Sequence, residues 1–140
     1  YLILSAVRKV DSGIFWRILF GSLVMSLGGY LGEAGFIPAI LGFLIGIVGW
    51  IYILYEIYSG EAGKIVSKSG NKALVTAFSA LRMIVTVGWA IYPLGYIFGY
   101  ITGGIDDNSL NVIYNLADFI NKIAFGVIIW SCAVANSKGR

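Results

Sequence analysis

The sequence predicts an all-helical membrane protein whose helices cross the bilayer several times. Of its 140 residues, 59% are hydrophobic and only 12% are charged, and the mean hydropathy is +0.86. A soluble domain carries about 25% charged residues, so too few polar side chains are available here to cover a surface exposed to water. The chain has no histidine and one cysteine, Cys132. The usual ligands of zinc and haem are therefore missing, and no metal site is predicted.

Four segments are apolar over the length of about 20 residues that a bilayer-spanning helix needs. We expect helices at residues 14–33, 36–58, 73–101 and 110–135, within one transmembrane domain covering 1–140. Asp107, Asn108 and Ser109 are each candidates for the N-cap of the last helix. The short apolar run Tyr1–Val7 is interpreted as the end of an earlier helix, so we expect the sequence to be part of a longer chain.

The basic residues are distributed unevenly among the connectors, and this pattern predicts the orientation. The long second connector contains three lysines, whereas the connectors GEAG and TGGIDDNS contain only acidic charges. Basic residues near helix ends mark the cytoplasmic side. The rule places in the cytoplasm Arg8, Lys9, Arg17, Lys64, Lys68, Lys72, Lys138 and Arg140, and with the last two the C-terminus. These charges are spread over separate loops, so they do not predict a nucleic-acid surface.

Glycines lie inside the predicted spans, and Gly42 and Gly46 have the four-residue spacing that lets membrane helices approach closely. Two interpretations remain open for such glycines: helix packing, or space for a bulky ligand. Glu56 and Arg82 lie near the predicted cytoplasmic ends of their helices, where long side chains reach the interface. They are interpreted as solvated or paired helix ends, and a Glu56–Arg82 pair is one possibility.

Asp118 and Lys122 are charged residues in the fourth predicted span, and Lys122 lies near its middle. A charge at the bilayer centre costs about 2.5–3.5 kcal/mol, and the i, i+4 spacing places both side chains on one helix face. One interpretation is a buried structural ion pair. The other is that desolvation favours the neutral amine, which condenses with an aldehyde as a Schiff base. Asp118 is then the anion beside the protonated imine.

Aromatic side chains recur on one face of the third predicted span, in the run GWAIYPLGY. They lie at mid-membrane depth, away from the interfaces where Trp and Tyr are usually enriched, and Pro93 interrupts the helix there. A second stripe contains Phe43, Gly46 and Trp50, and a third contains Met25 and Gly29. These stripes predict either an aromatic packing core or a slot for a long, flat, apolar chromophore.

The run IYNLADFINKIAFGVIIW resembles the last helix of microbial rhodopsins, and GWAIYPLGY resembles the helix before it. The runs YLILSAV, GYLGEAG and WIYILYE are similar to the proteorhodopsins of that family, the light-driven proton pumps of aquatic bacteria. The resemblance implies a bundle of seven transmembrane helices, of which this sequence contains four full helices and a stub of the third. It also implies that the primary proton acceptor and the cytoplasmic donor lie upstream of Tyr1.

The resemblance assigns all-trans retinal as the cofactor, bound to Lys122 as a protonated Schiff base with Asp118 as a counter-ion. The retinal pocket that it implies consists of Trp89, Tyr92, Pro93, Tyr96, Met25, Gly29, Phe43, Gly46 and Trp50. Asn121, next to the lysine, is expected to adjust the electrostatics near the imine. Some archaeal pumps have a glutamate of the proton-release group where this chain has Leu110, so fast release through such a pair is not expected.

The implied function is outward proton pumping driven by light in a bacterial cell (inner) membrane, which is transport and not enzyme catalysis. Arg82 and the kink at Pro93 are expected to let the third predicted helix tilt. A homo-oligomer, a pentamer or hexamer, is implied as the assembly. The alternatives are a sensory rhodopsin or another light-driven ion transporter. From the residues alone, a retinal-free helical transporter with Asp118 and Lys122 as a gating ion pair also remains open.

Overall fold

The computed structural model describes residues 1–5 and 8–137, and among these residues it contains helices and no β-strand. The run Tyr1–Val7 is therefore described only in part. The C-terminal basic residues Lys138 and Arg140, which entered the predicted orientation, lie outside the described residues.

Residues 1–5 and 8–137 form seven α-helices and two π-helical segments. The helices are α1 (Leu2–Ser5), α2 (Gly13–Glu33), α3 (Ala39–Tyr58), α4 (Glu61–Ser67), α5 (Lys72–Met83), α6 (Ile91–Tyr96) and α7 (Asp107–Ser137). The π-helical segments, Ile84–Gly88 and Ile97–Ile101, flank α6. In the part of the chain that the structure describes, four stretches are long and apolar enough to cross a membrane. They are α2, α3 with α4, the continuous stretch Lys72–Ile101, here called the third span, and α7.

Apart from the end of the second span, which continues through α4 to Ser67, the predicted bounds lie within three residues of those in the structure, and the differences have local causes. Pro38 has an extended backbone (φ −53°, ψ 134°) and precedes the first turn, so α3 begins at Ala39 and not at residue 36. The polar second connector, expected to be a loop, contains α4. The first, third and fourth spans begin at residues 13, 72 and 107 instead of 14, 73 and 110, and the fourth ends at 137 instead of 135.

The predicted N-cap of the last helix was wrong, because Asp106 caps α7. Its carboxylate accepts the Ser109 N–H at 3.1 Å, and its carbonyl accepts the Leu110 N–H at 3.0 Å. These are the two bonds of an N-cap residue: its side chain accepts the N–H of the third helical residue, and its carbonyl accepts the first bond within the helix. Hydrogen bonding from Ser109 to the charged form lowers the pKa of the Asp106 carboxyl below its ordinary value.

Glycines allow α2 and α3 to pack together over a larger contact than any other pair of helices in the described chain. A Cβ atom added at Gly42 would lie 2.7 Å from the Gly32 Cα, and one added at Gly49 would lie 2.8 Å from the Gly21 carbonyl oxygen. The same test at Gly46 gives an ordinary contact of 3.5 Å with the α2 backbone. Of the two glycines with the four-residue spacing, Gly42 therefore has the tight contact with α2.

A buried carboxylate organises one end of the bundle. The Glu56 side chain is 5% exposed, accepts the Arg17 guanidinium at 3.0 and 3.3 Å, and accepts the Ala62 N–H at 3.1 Å. Arg17 also pairs with Glu61 at 2.7 Å. One carboxylate thus joins α2 to α3 and to the first turn of α4. The partner of Glu56 is Arg17 and not Arg82.

Arg82 contacts two aromatic rings and does not pair with Glu56. The centre of its guanidinium lies 4.9 Å from the centroid of the Tyr58 ring and 4.8 Å from that of Phe78. Contacts of this kind stabilise a cation by its attraction to the ring faces.

Hydrogen bonds show that α2 and α3 run in opposite directions, as do the third span and α7. The Arg17–Glu56 pair joins the beginning of α2 to the end of α3, and the Asn71–Asn136 bond joins the beginning of α5 to the end of α7. Both contacts lie at the end of the bundle that contains α4 and the Lys64–Lys72 connector, here called the basic end. The opposite end contains Glu33 and Asp106, here called the acidic end.

Replacing Glu56 with alanine is expected to lower the free energy of unfolding by about 2 kcal/mol, because it leaves Arg17 with one partner and an α4 amide with none. Glu61→Ala is the matched control. That carboxylate is 45% exposed, so its loss is expected to cost less than about 1 kcal/mol. Denaturant titration of both variants in detergent micelles provides the measurement, and equal losses would contradict the role given to Glu56.

Candidate functional site

A cleft of about 780 Å³ lies between α2, α3, the third span and α7. All of the residues that the sequence assigned to the site border this cleft. Those on α7 are Asp118, Asn121 and Lys122; those on the third span are Trp89, Tyr92, Pro93 and Tyr96; those on α3 are Phe43, Gly46 and Trp50; and those on α2 are Met25 and Gly29. Residues distant in the sequence thus lie around one space.

Sequence reasoning missed further lining residues, which are Ser26, Tyr30, Glu33, Gly42, Ile47, Tyr114, Asn115 and Phe125. Most of them lie three or four residues from a lining residue that was identified, on the same helix face. Extending each stripe by one turn in both directions would have included Tyr114 and Phe125 on α7 and Glu33 on α2. Tyr30 is the exception, because it lies next to Gly29 and five residues from Met25, and no sequence signal distinguishes it from residues outside the cleft.

A three-residue polar cluster lies at the edge of the cleft. Lys122 Nζ lies 2.5 Å from Asp118 Oδ2, and the Tyr92 hydroxyl donates to the other oxygen, Asp118 Oδ1. The α-helical i, i+4 relation aligns the two charged residues, while Tyr92 comes from the third span. Each carboxylate oxygen therefore has one donor, and the carboxylate links two spans.

The charged pair was expected to be buried, and the described residues do not bury it. Lys122 is the middle residue of the 31-residue α7, in agreement with the expected depth, but its side chain is 75% exposed and that of Asp118 is 41% exposed. The cause is that α7 is the least buried of the four spans. Only lipid, or protein outside the described residues, would exclude water from this pair.

The first π-helical segment frees a backbone carbonyl that faces α3. The Trp89 N–H donates to the Ile84 oxygen at 2.9 Å, five residues back, instead of to the Val85 oxygen. The Val85 oxygen instead accepts the indole N–H of Trp50 at 2.8 Å. The irregular helix thereby holds the Trp50 ring in a defined orientation at the cleft. Pro93 had predicted a kink, but no sequence feature had predicted the π-helical geometry.

Pro93 leads to a second free carbonyl, which faces α7. Because proline has no N–H, the Trp89 oxygen accepts the Tyr92 N–H at 3.1 Å instead. The Tyr92 N–H is then not available to the Gly88 oxygen, which accepts the Asn121 side-chain amide at 3.1 Å. The residue before Lys122 is thus fixed to the backbone of the third span.

Two tyrosines complete the packing towards the acidic end. Tyr96 is buried, donates its hydroxyl to the Ala39 carbonyl at 3.1 Å, and has its ring centroid 5.8 Å from that of Phe43. A Cβ atom at Gly32 would overlap the Tyr96 hydroxyl. Tyr114 donates to the Tyr92 carbonyl at 3.0 Å. Each tyrosine that lines the cleft here is therefore hydrogen-bonded to the backbone of a neighbouring span.

Comparison with known protein sequences points to one family. A family model described as bacteriorhodopsin-like protein matches residues 1–136. The chain is 50% identical over 140 residues to a blue-light absorbing proteorhodopsin of gamma-proteobacterium Hot 75m4, and 48% identical over 139 residues to a green-light absorbing proteorhodopsin of gamma-proteobacterium EBAC31A08. Each alignment covers 99% of this chain and 55% of the relative. The chain thus spans about half the length of these curated relatives.

Solved structures of similar proteins agree with the fold. A blue light-absorbing proteorhodopsin from Med12 superposes with a TM-score of 0.78 at 43% identity, covering 97% of this chain and 59% of the other. The rhodopsin of Exiguobacterium sibiricum superposes with a TM-score of 0.81 at 27% identity, covering 97% and 64%. The predicted all-helical membrane bundle is confirmed by these similarities.

Gly32→Ala is expected to displace the Tyr96 hydroxyl and to lower the free energy of unfolding by about 1–3 kcal/mol, as overpacking commonly does. Gly29→Ala is the matched control on the same helix and the same cleft. A Cβ atom there meets nothing within 4 Å, and alanine favours the helix by up to about 1 kcal/mol. Thermal unfolding of the two variants in detergent tests the contact, and equal midpoints would contradict it.

Proposed function

The chain belongs to the bacteriorhodopsin-like family of microbial rhodopsins, and from this membership we propose that it forms the retinal-binding part of a light-driven outward proton pump. One observation carries the proposal. The lysine, aspartate and tyrosine cluster lies at the edge of a cleft lined by aromatic rings and glycines. The similarity to proteorhodopsins, which are named for light absorption, supports the same conclusion.

The cleft fits the size and chemistry of retinal, a long, flat, apolar polyene that ends in an aldehyde. Its volume of about 780 Å³ lies within the range of about 300–1,000 Å³ that is typical of small-molecule sites. Flat rings from Trp50, Trp89 and Tyr96 alternate with Gly29 and Gly46, and a Cβ atom added at Gly29 would meet nothing within 4 Å. The described residues that line the cleft include one lysine, Lys122. Its side chain supplies the amine that a Schiff base with the aldehyde requires.

Each member of the polar cluster has a proposed role. Retinal, bonded covalently to Lys122 Nζ, supplies the absorption of visible light and a change of shape. Asp118, 2.5 Å from Nζ in this structure, supplies the negative charge that stabilises a proton on that nitrogen. Tyr92 donates to the second carboxylate oxygen and so holds the carboxylate towards Nζ. Asn121 and Trp50 are held by backbone carbonyls of the third span, which keeps the pocket aligned with that span.

The proposed direction of transport follows from the two ends of the bundle. Lys64, Lys68 and Lys72 lie at the basic end, so this end and the C-terminus are assigned to the cytoplasm of a bacterial cell. Pro93 and two π-helical segments interrupt the regular helical hydrogen bonds of the third span. It is therefore the span most able to bend and open a path for protons at the basic end.

The alternatives are not favoured. The similar curated proteins include proteorhodopsins and bacteriorhodopsins, which favours a pigment over a retinal-free transporter. Light-driven proton transport is the function that these relatives support, so the chain is assigned to transport and not to enzyme catalysis. A bilayer is the environment of its four spans, and a pentamer or hexamer stays a prediction.

Lys122→Ala is expected to abolish the visible absorption band that forms when all-trans retinal is added to the full-length protein. The reason is that no other lysine among the described residues lines the cleft. Lys64→Ala, at the basic end outside the cleft, is the control and is expected to form a normal pigment. A Lys122→Ala variant that still bound retinal as a visible pigment would overturn the assignment.

Illumination of lipid vesicles that contain the pigment is expected to change the external pH, and a protonophore is expected to abolish the change. Asp118→Asn is expected to reduce the initial rate at least about tenfold, because it removes a charged hydrogen-bond partner worth about 1.5–3 kcal/mol. Asp107→Asn, at the acidic end outside the cleft, is the control. A stable pigment that never changes the pH would favour a sensor over a pump.

A further inference from the structure

Two asparagines join the third span to α7 at the basic end, in a way that the proposed function does not use. Asn71 Nδ2 donates to Asn136 Oδ1 at 2.7 Å across 65 residues of sequence. The other half of each amide is also occupied. Asn71 Oδ1 accepts the Leu74 N–H at 2.9 Å, which caps α5, and Asn136 Nδ2 donates to the Cys132 carbonyl at 3.0 Å.

The position of this bond gives it mechanical importance. Four hydrogen bonds among the described residues join the third span and its N-cap residue, Asn71, to α7. Three of them, made by Asp118, Asn121 and Tyr114, meet the third span between Gly88 and Tyr92. The Asn71–Asn136 bond is the fourth. It lies 17 residues before Gly88, about 25 Å along a helix. In the basic half of these two spans, it is the one hydrogen bond among the described residues that adds to the packing of α5 against α7.

The two attachment points lie on opposite sides of an irregular segment. The π-helical segment Ile84–Gly88 separates α5 from the cleft, and its hydrogen-bond pattern departs from that of a regular helix. Helices bend at such segments. If the Asn71–Asn136 bond opens, α5 can move about this segment while Tyr92 and Gly88 stay bonded to α7. The N-cap bond to Leu74 is independent of Asn136, so α5 need not unwind.

We propose that the Asn71–Asn136 bond is a latch that holds the basic end of the third span against α7, and that it opens when the pigment is illuminated. The proposal rests on the proposed function. A neutral amide pair suits this role, because a hydrogen bond of this kind changes an equilibrium by about fivefold. An effect of about fivefold favours the closed state, and a bond of this strength can break and re-form in each cycle of illumination. Neither amide titrates, so the latch is independent of pH.

Cys132 provides a reporter for the latch that does not depend on transport. It is the single cysteine of the chain, it is 6% exposed, and its Sγ lies 3.5 Å from Asn136 Nδ2. Separation of α5 from α7 would admit a small thiol reagent to this sulfur. The reaction rate of Cys132 with a maleimide therefore measures how often the basic end opens.

The experiment compares maleimide labelling of Cys132 in the full-length pigment, in the dark and in the light, with any cysteine outside this chain replaced by serine. Asn71→Ser keeps a capping oxygen but cannot reach Asn136, and it leaves the surroundings of Cys132 unchanged. Asn136→Ala breaks the same bond from the other side. Ser137→Ala is the matched control, because that hydroxyl bonds only to the Val134 carbonyl of its own helix among the described residues.

We expect Asn71→Ser and Asn136→Ala each to label about fivefold faster than the parent protein in the dark, and Ser137→Ala to label at the parent rate. The double variant is expected to be no faster than the faster single variant, because both changes remove one bond. Light is expected to accelerate labelling of the parent pigment, and to accelerate it less in the two latch variants.

Several results would overturn the proposal. They are an Asn71→Ser variant that labels at the parent rate, effects of the two variants that multiply, or a parent pigment whose labelling is the same in light and dark. Failure of the proposed function has a different signature. A chain that forms no visible pigment with retinal would contradict that function, whereas a fivefold difference in the dark would still support the closing role of the bond.

Discussion

A backbone carbonyl inside a bilayer has no water to bind, so the protein must supply its hydrogen bond. This constraint organises the third span. Its π-helical geometry and its proline leave two carbonyls, those of Val85 and Gly88, without helical partners, and side chains of the neighbouring spans bind both of them. Trp50 and Asn121 are therefore oriented by the same irregularity that makes the span bendable. Rigidity of the cleft and flexibility of the helix have one common origin.

The contribution of each glycine and each charged residue to the structure depends on its position in the bundle. Gly42 and Gly49 bring α2 and α3 into backbone contact, while Gly29 leaves open space at the cleft. The Glu56 carboxylate holds three elements together at the basic end. The Asp118 carboxylate, with one donor on each oxygen, has a similar geometry, but it lies at the middle of a span, where its charge is available for chemistry.

Much of this arrangement could be read from the sequence, because helical periodicity determines which side chains share a face. The stripes on three helices and the charged pair on the fourth all border the cleft, while Asn121 was added by the family resemblance and further lining residues were missed. The role of these residues towards retinal stays a prediction. Periodicity does not identify partners across helices. The Glu56 partner was therefore left open, and the capping of α7 by Asp106 was misassigned, since several polar residues in one loop have similar propensities. Burial of Lys122 was wrong for the described residues, because sequence hydropathy reports depth in a membrane and not coverage by protein.

The sequence by itself determined the class of protein, the four spans and the faces that meet at the cleft, because hydropathy and the 3.6-residue period are local properties of a helix. The tertiary structure alone decided which donors meet which acceptors. The π-helical segments, the carbonyl bonds of Trp50 and Asn121, and the Asn71–Asn136 bond all depend on helix register and on distances of about 3 Å between residues far apart in the chain. No periodic pattern contains that information, since a shift of one residue between packed helices would preserve every stripe and break every bond.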